Sequence, residues 1–247
     1  MKQLFYRVVN GARKVAAGLR PFNESVWPGV RNDLYVAHES VYGFFSRHVL
    51  GKRVLDAGCG TGYGASMMLE AGAESVVGVD IDPKTVSFAR RSFAKPGLEF
   101  RVSDMEALPP SQDSFDLIVA SNSLEHLTSP ESFIAGIEQV FAPGGSAILA
   151  VPPIYGQQDL AVHSAIAYHR SNLSITEWIE LIGKSSASVS CFSHRAIGGV
   201  HPDFSSHLPS KLDVTDFEFV PVTNDALCLE PSITAIFLVE LSERSPK

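Results

Sequence analysis

The run VLDAGCGTGYGA at 54–65 limits the possible folds more than any other stretch of this chain. A short apolar segment carrying one acid leads into Gly58, Gly60, Gly62 and Gly64, and helix-forming residues follow from Ala65 to Ala71 before Gly72 ends them. Glycines at this spacing let the backbone turn tightly and bring its N–H groups against a ligand where a helix begins. The run admits two registers. As DxGxGxG it uses Asp56, Gly58, Gly60 and Gly62; shifted by two, Gly60, Gly62 and Ala65 satisfy the dinucleotide fingerprint GxGxxA. Both need an acid at the end of the next strand to hold a ribose diol, and Asp80 in VVGVD supplies it.

Around this turn the periodicity alternates between strand and helix. Leu34, Ala37, Val41, Phe44, Phe45 and Val49 recur on one helical face over 34–49, with Asn32 or Asp33 as the cap. RVLDAG at 53–58, VVGVD at 76–80, LEFRV at 98–102, FDLIVA at 115–120 and SAILAV at 146–151 read as strands. Between them, Asp82-Pro83 opens a helix reaching Phe93, Ser129-Pro130 opens one through Phe141, and APGG at 142–145 stops the latter. This order predicts an α/β, Rossmann-like, doubly wound and mostly parallel sheet with ligands at the carboxyl ends of its strands. Beyond Pro153 the pattern loosens. A helix at 174–184, the strands SVSCFSH and FEFVPV and a terminal strand ITAIFLVEL remain, while 153–173 and 195–230 are long enough to read as lid-like insertions.

The rest of the pattern separates the two registers. Asp56 at the end of the first strand can oppose a positive charge, which a sulfonium has and a pyrophosphate lacks. Ser103-Asp104-Met105 after the third strand offers an acceptor for an exocyclic amine beside an apolar side chain, and SNSLEHL follows the fourth. From Arg53 to about Pro152, VLDAGCGTGYG, VVGVDIDP, RVSDMEALP, FDLIVASNSLEHL and FAPGGSAILAVP resemble, in order, the motifs of class I S-adenosylmethionine-dependent methyltransferases of the bacterial small-molecule and glycan type. The resemblance implies a seven-stranded sheet whose last strand is antiparallel. It implies further that Gly58, Cys59, Gly60 and Gly62 wrap the methionine part of the cofactor, Asp80 binds ribose, Ile81 and Met105 flank adenine, Asp104 meets its amine and Asn122 lies near the transferred methyl. Cys59 reads as a small loop filler and not as a nucleophile. DLYVAHESVYGFF at 33–45 is similar to the helix that closes over the cofactor in such enzymes, which makes Tyr35, His38 and Tyr42 candidate cofactor or substrate contacts.

The implied activity is in-line methyl transfer from S-adenosylmethionine to a small-molecule, glycan or lipid-linked acceptor. A nicotinamide-dependent oxidoreductase, resting on the shifted glycine register, and a non-catalytic cofactor-binding protein are the alternatives. His126 is the candidate general base, since it follows the fourth strand into the cleft, and Glu125 shares its position. His163, His169, His201 and His207 form pairs spaced by six, which matches no chelating pattern, so no metal is expected.

Charge divides the chain. It carries 20 basic and 27 acidic residues for a net charge of -7, which disfavours a nucleic-acid partner. Lys2, Arg7, Arg13, Lys14 and Arg20 meet no acid over 1–23, and Leu4, Phe5, Val8, Val9, Ala12, Val15, Ala16 and Leu19 recur at helical steps. Residues 1–22 thus read as a basic amphipathic segment preceding a methyltransferase domain at 23–247, with its core at 53–152. That segment suits peripheral contact with an anionic membrane, packing on the domain, or a targeting role. ITAIFLVEL is about half the ~20 residues of a membrane span. Cys59, Cys191 and Cys228 form no CxxC pair, so reduced thiols and a cytoplasmic location are expected.

Overall fold

The computed structural model describes residues 29–108, 114–184 and 186–241; the basic segment expected at 1–22 lies outside them. Five parallel strands form one half of the sheet: β1 (Arg53–Ala57), β2 (Ser75–Asp80), β3 (Leu98–Val102), β4 (Phe115–Ser121) and β5 (Phe141–Val151). The helices preceding and joining them are α1 (Asp33–Phe45), α2 (Tyr63–Glu70), α3 (Pro83–Phe93) and α4 (Pro130–Val140). After β5 come α5 (Gln157–Ser164), α6 (Ile175–Gly183), β6 (Ser186–Ala196), β7 (Phe217–Val222), α7 (Asn224–Leu229) and β8 (Thr234–Leu241). The sheet order is β3-β2-β1-β4-β5-β8-β6-β7.

The terminal strand β8 runs antiparallel to β5, as expected, but the sheet has eight strands and not seven. The additional one is β7, the FEFVPV segment, which pairs antiparallel with β6 at the edge. Its Pro221 lacks an N–H and is tolerated there because an edge strand has one unpaired side. A second difference concerns APGG, which lies inside β5 and not between α4 and the strand. Phe141 pairs with Phe115 and Ser146 with Leu117, so Asp116 alone faces residues 142–145, and Gly144 takes φ +74° within this bulge.

Local chemistry sets the helix starts. Asn32 Oδ1 accepts from the Tyr35 N–H, and Asp82 accepts from the N–H groups of Lys84 and Thr85 with Pro83 at the first helical position. Ser174 and Glu177 close a reciprocal capping box on α6.

Alternation along the strands feeds two apolar layers. Leu55, Ile118 and Leu149 face Phe133 and Ile137 of α4 and Trp178 of α6. Val54, Leu117 and Ile148 face Val41 and Phe45 of α1, Met68 of α2 and Val86 of α3. Asp56, two residues after Val54, therefore points into the layer beneath α1. The helix itself is clamped to β6. Ser40 Oγ donates to the Ala37 carbonyl at 2.7 Å and lies 2.9 Å from His194 Nε2, and the His194 ring stacks on Phe219 at 4.7 Å. Since the Ser40 hydroxyl proton is engaged, His194 Nε2 is the donor in that pair. No helix among the described residues is long and apolar enough to cross a membrane.

This clamp is sensitive to acid. Burial lowers the pKa of His194 to about 3, the charge of neighbouring His38 adding to the effect, and burial lowers His38 to about 4. Both rings stay neutral in the folded chain where the unfolded chain, with ordinary values near 6.5, has taken up protons. Their contribution is complete above the unfolded pKa and is lost as pH falls through it, levelling once the folded values are reached. Denaturant unfolding between pH 7 and 4 is expected to lose about 1.4 kcal/mol per pH unit for each such proton. A His194→Asn chain should show the shallower slope; an unchanged slope would mean that His194 does not carry the dependence.

Candidate cofactor and active site

The carboxyl ends of β1, β2, β3 and β4 meet at the glycine turn. Gly58 sits at φ +76° and its N–H, with that of Cys59, donates to the Val79 carbonyl at 2.9 Å. A Cβ on Gly58 would stand 2.5 Å from the Cβ of Ser123, so only glycine fits between β1 and β4. Gly60, at φ +52°, is different: a Cβ there would meet nothing within 4 Å. The middle of the turn is thus open to a ligand while its flanks are packed. Cys59 turns inward against Gly78 and is buried, and burial pushes its thiol well above the ordinary range, which fits the filler role.

Two carboxyl groups border the turn. Asp80, at the end of β2, accepts from the Gly60 N–H at 3.0 Å and the Asp82 N–H at 2.9 Å. Burial raises its pKa, and these two donors and the charge of His126 oppose the rise. Asp56 has no exposed surface and accepts from the Tyr42 hydroxyl at 3.2 and 3.4 Å. Desolvation dominates there and lifts its pKa to about 7, with the Tyr42 hydrogen bond lowering it and the Asp80 charge adding to the rise. A hydroxyl is a neutral partner, so Asp56 is a buried acid that a nearby cation would stabilise in its ionised form.

The three α1 candidates divide. Tyr42 holds Asp56, and the Tyr35 and Tyr42 rings lie 5.0 and 5.4 Å from that of Tyr63, which opens α2. His38 instead neighbours His194. Ile81 follows β2 with 67% of its surface exposed, and Asp104 follows β3, exposed and capping the short 3-10 turn Met105–Ala107 through the Glu106 N–H. Met105 is buried beside Gly58. Asn122 follows β4 at φ 45°, the one left-handed non-glycine among the described residues, its N–H bonded to the Ala150 carbonyl. Asparagine tolerates that conformation at modest cost, and such strain gathers at functional turns.

The 3-10 turn Leu124–His126 comes next, and the 153–173 segment is stitched onto it. The Glu125 carbonyl accepts from the N–H groups of Arg170 and Ser171, and Ser171 Oγ donates to the Leu124 carbonyl. His126 Nδ1 lies 3.2 Å from the Tyr168 carbonyl. A carbonyl only accepts, so Nδ1 carries the proton and Nε2 the lone pair. His169 packs edge-on against His126 at 5.2 Å, and its Nδ1 lies 3.1 Å from His163 Nδ1. Spacing in the sequence did not reveal this group. The usable signal was topological: β4 and β5 are parallel neighbours, so the histidine-bearing segment after β5 emerges beside the turn after β4. His201 and His207 remain exposed on the 197–216 loop, which is fastened to the start of α1 by Asp203 N–H to Asp33 and by Asn32 Nδ2 to the Ser206 carbonyl.

Residues 55–149 match the family model described as a methyltransferase domain. Among curated proteins, a "Probable S-adenosylmethionine-dependent methyltransferase" of Mycolicibacterium smegmatis is 33% identical over 131 residues, covering 52% of this chain and 50% of that protein. A ubiquinone biosynthesis O-methyltransferase of Methylocella silvestris is 34% identical, covering 46% of each chain. A tRNA U34 carboxymethyltransferase of Hahella chejuensis is 29% identical, covering 54% of this chain and 44% of the other. The chain thus spans about half the length of these relatives. The solved structure of a methyltransferase from Thermotoga maritima superposes with a TM-score of 0.63 at 15% identity, covering 96% of this chain and 98% of that one, and shares the fold. The family model and these relatives are methyltransferases, which favours the DxGxGxG register over the shifted one. Residues 55–149 are a methyltransferase domain of the class I, S-adenosylmethionine-dependent family.

Proposed function

We propose that this chain transfers a methyl group from S-adenosylmethionine to an oxygen of a small-molecule, glycan or lipid-linked acceptor. The observation that carries the reading is the pairing of an open glycine backbone at Gly60 with the Asp80 carboxylate that its N–H holds in place. The residues present fit the cofactor. Gly60, at the open middle of the Gly58–Gly62 turn, leaves room for its methionine part, Asp80 is oriented for a ribose diol, and Ile81 and Met105 offer apolar surface for adenine with Asp104 as acceptor for its amine. Asp56 is the buried acid that a cation would stabilise in its ionised form. When bound, the cofactor supplies an electrophilic methyl on a positively charged sulfur.

The work left to the protein is alignment, water exclusion and proton handling. Tyr42 orients Asp56, and α1 covers the turn. The Asn122 turn sets where the β4 end meets the transferred methyl. His126, with Nδ1 engaged by Tyr168, presents Nε2 as the group that can take the acceptor proton. The 153–173 segment forms the wall on the acceptor side. The O-methyltransferase among the relatives favours oxygen. The tRNA-modifying relative keeps a nucleic-acid acceptor open as a second reading, against which stands the net charge of -7. Transfer of labelled methyl into a fractionated extract separates the two: label is expected in lipid, glycan or small-molecule fractions, and label in RNA would favour the second. Cofactor binding with no label in any fraction would point to a non-catalytic protein.

Two measurements test the donor site. Asp80→Ala is expected to weaken binding of S-adenosylhomocysteine at least tenfold by calorimetry, about 1.4 kcal/mol, and unchanged affinity would place the ribose elsewhere. Asp56 is half-protonated at about pH 7, so a sulfonium ligand must displace its proton at lower pH. The preference for S-adenosylmethionine over the uncharged S-adenosylhomocysteine should therefore fall with decreasing pH, approaching tenfold per unit below that pKa. Asp56→Asn should flatten the profile; a ratio that ignores pH in the unaltered chain would remove Asp56 from opposition to the sulfonium.

A further inference from the structure

We propose that Glu125, His126 and His169 form a binding site for one divalent transition-metal ion of the zinc class. Each residue offers one ligand atom, and these atoms all lie within 4.8 Å of one another. Ligands about 2.1 Å from a tetrahedral ion stand roughly 3.4 Å apart, so small side-chain rotations close the set. The backbone holds the three residues in place beforehand. Arg170 and Ser171, directly after His169, donate their N–H groups to the Glu125 carbonyl at 2.8 and 3.0 Å. His169 is thereby fixed against the Glu125–His126 turn although it lies far along the chain.

The outer contacts of the two rings are those of ligand histidines. A metal-binding imidazole typically donates its other N–H to a carbonyl, carboxylate or similar acceptor, which sets the tautomer and ring direction. His126 Nδ1 donates to the Tyr168 carbonyl. His169 Nδ1 and His163 Nδ1 are 3.1 Å apart and share one proton; with that proton on His169, its Nε2 is left as the lone-pair nitrogen. Glu125 contributes a carboxylate that is 5% exposed, sheltered from competing water. Two imidazoles and one carboxylate favour Zn²⁺, Mn²⁺, Fe²⁺ or Co²⁺ over Mg²⁺ and Ca²⁺, and three protein ligands leave at least one position open.

The cluster adjoins the proposed donor site, since Ser123, three residues before His126, packs against Gly58 of the glycine turn. The metal site stands on the side-chain cluster alone. Its use rests on the proposed methyl transfer: with Nε2 on the ion, His126 is a ligand and no longer the base, and an acceptor hydroxyl held at the open position is acidified by the ion and gives its proton to solvent water.

The test uses the full chain, stripped with chelator and titrated with Co²⁺ and Zn²⁺ while S-adenosylhomocysteine binding is followed in parallel. One equivalent of Co²⁺ is expected to give the visible absorption of a histidine-ligated, low-symmetry site, and Zn²⁺ to displace it. His169→Ala should weaken both metals at least tenfold while S-adenosylhomocysteine affinity and the thermal unfolding midpoint hold. Glu125→Gln should weaken the metals likewise, and if that buried change unfolds the chain, the half-buried His169 carries the test alone. His201→Ala should leave metal affinity unchanged. Absence of stoichiometric Co²⁺ binding, or binding that persists in His169→Ala, would overturn the site. Metal binding without S-adenosylhomocysteine binding would overturn the donor reading and leave the metal site standing.

Discussion

The packing of Gly58 between three strand ends is the constraint on which the site depends. Its N–H and that of Cys59 converge on the Val79 carbonyl of β2, and Ser123, just past β4, occupies the space a Cβ would take while its hydroxyl bonds to the Ala57 carbonyl. The ends of β1, β2 and β4 are thus locked to one another by the N–H bonds to Val79 and by the Ser123 side chain, which any side chain at Gly58 would displace. Everything proposed for the donor site hangs from this lock. Asp80 is one residue past Val79, Asn122 is one before Ser123, and Asp56 is one before Ala57.

What could be read beforehand follows from how local each signal is. The five parallel strands and their helices came from periodicity and caps within windows of about ten residues, and Asp82-Pro83 or Ser174 with Glu177 act within one turn. The edge strand β7 was visible as a strand, yet nothing local says whether FEFVPV joins the sheet. Its place is decided by pairing with β6 and by Phe219 lying against Phe44 and His194, contacts between distant residues. APGG shows the opposite failure. Its turn chemistry was read correctly, but a parallel neighbour absorbed it as a bulge. Among the candidate site residues, the nearness of the glycines, Asp56 and Asp80 is legible in the sequence because one strand-turn-helix unit and the next strand end contain them. The gathering of His126, His169 and His163 was not, because two chain segments meet only through the order of β4 and β5 in the sheet.

The electrostatics of the donor site follow from the same geometry. Packing around the turn removes water from Asp56, and α1 supplies a hydroxyl in place of a cation. Asp80 is treated differently: its burial is the larger effect and raises its pKa, and two backbone N–H groups compensate part of that cost. The Asp80 charge adds to the cost of ionising Asp56, and the two acids are thereby suited to separate tasks. In the proposed donor site, Asp80 is the acceptor for neutral hydroxyls and Asp56 the acid whose charge a cation would stabilise.

The helix α1 joins this site to the C-terminal part of the sheet. Its middle touches Asp56 through Tyr42 and Tyr63 through Tyr35, its opposite side is bonded to His194 of β6 through Ser40, and its first turn is tied to the 197–216 loop through Asn32 and Asp33. The edge strand β7 and the loop before it therefore bear on the helix over the proposed donor site and not only on the sheet edge. Movement of that cover must break either the Ser40–His194 contact or the loop bonds at Asn32 and Asp33, since the helix is held at both places. A change in the C-terminal segment can in this way alter access at the glycine turn without touching any residue that borders it.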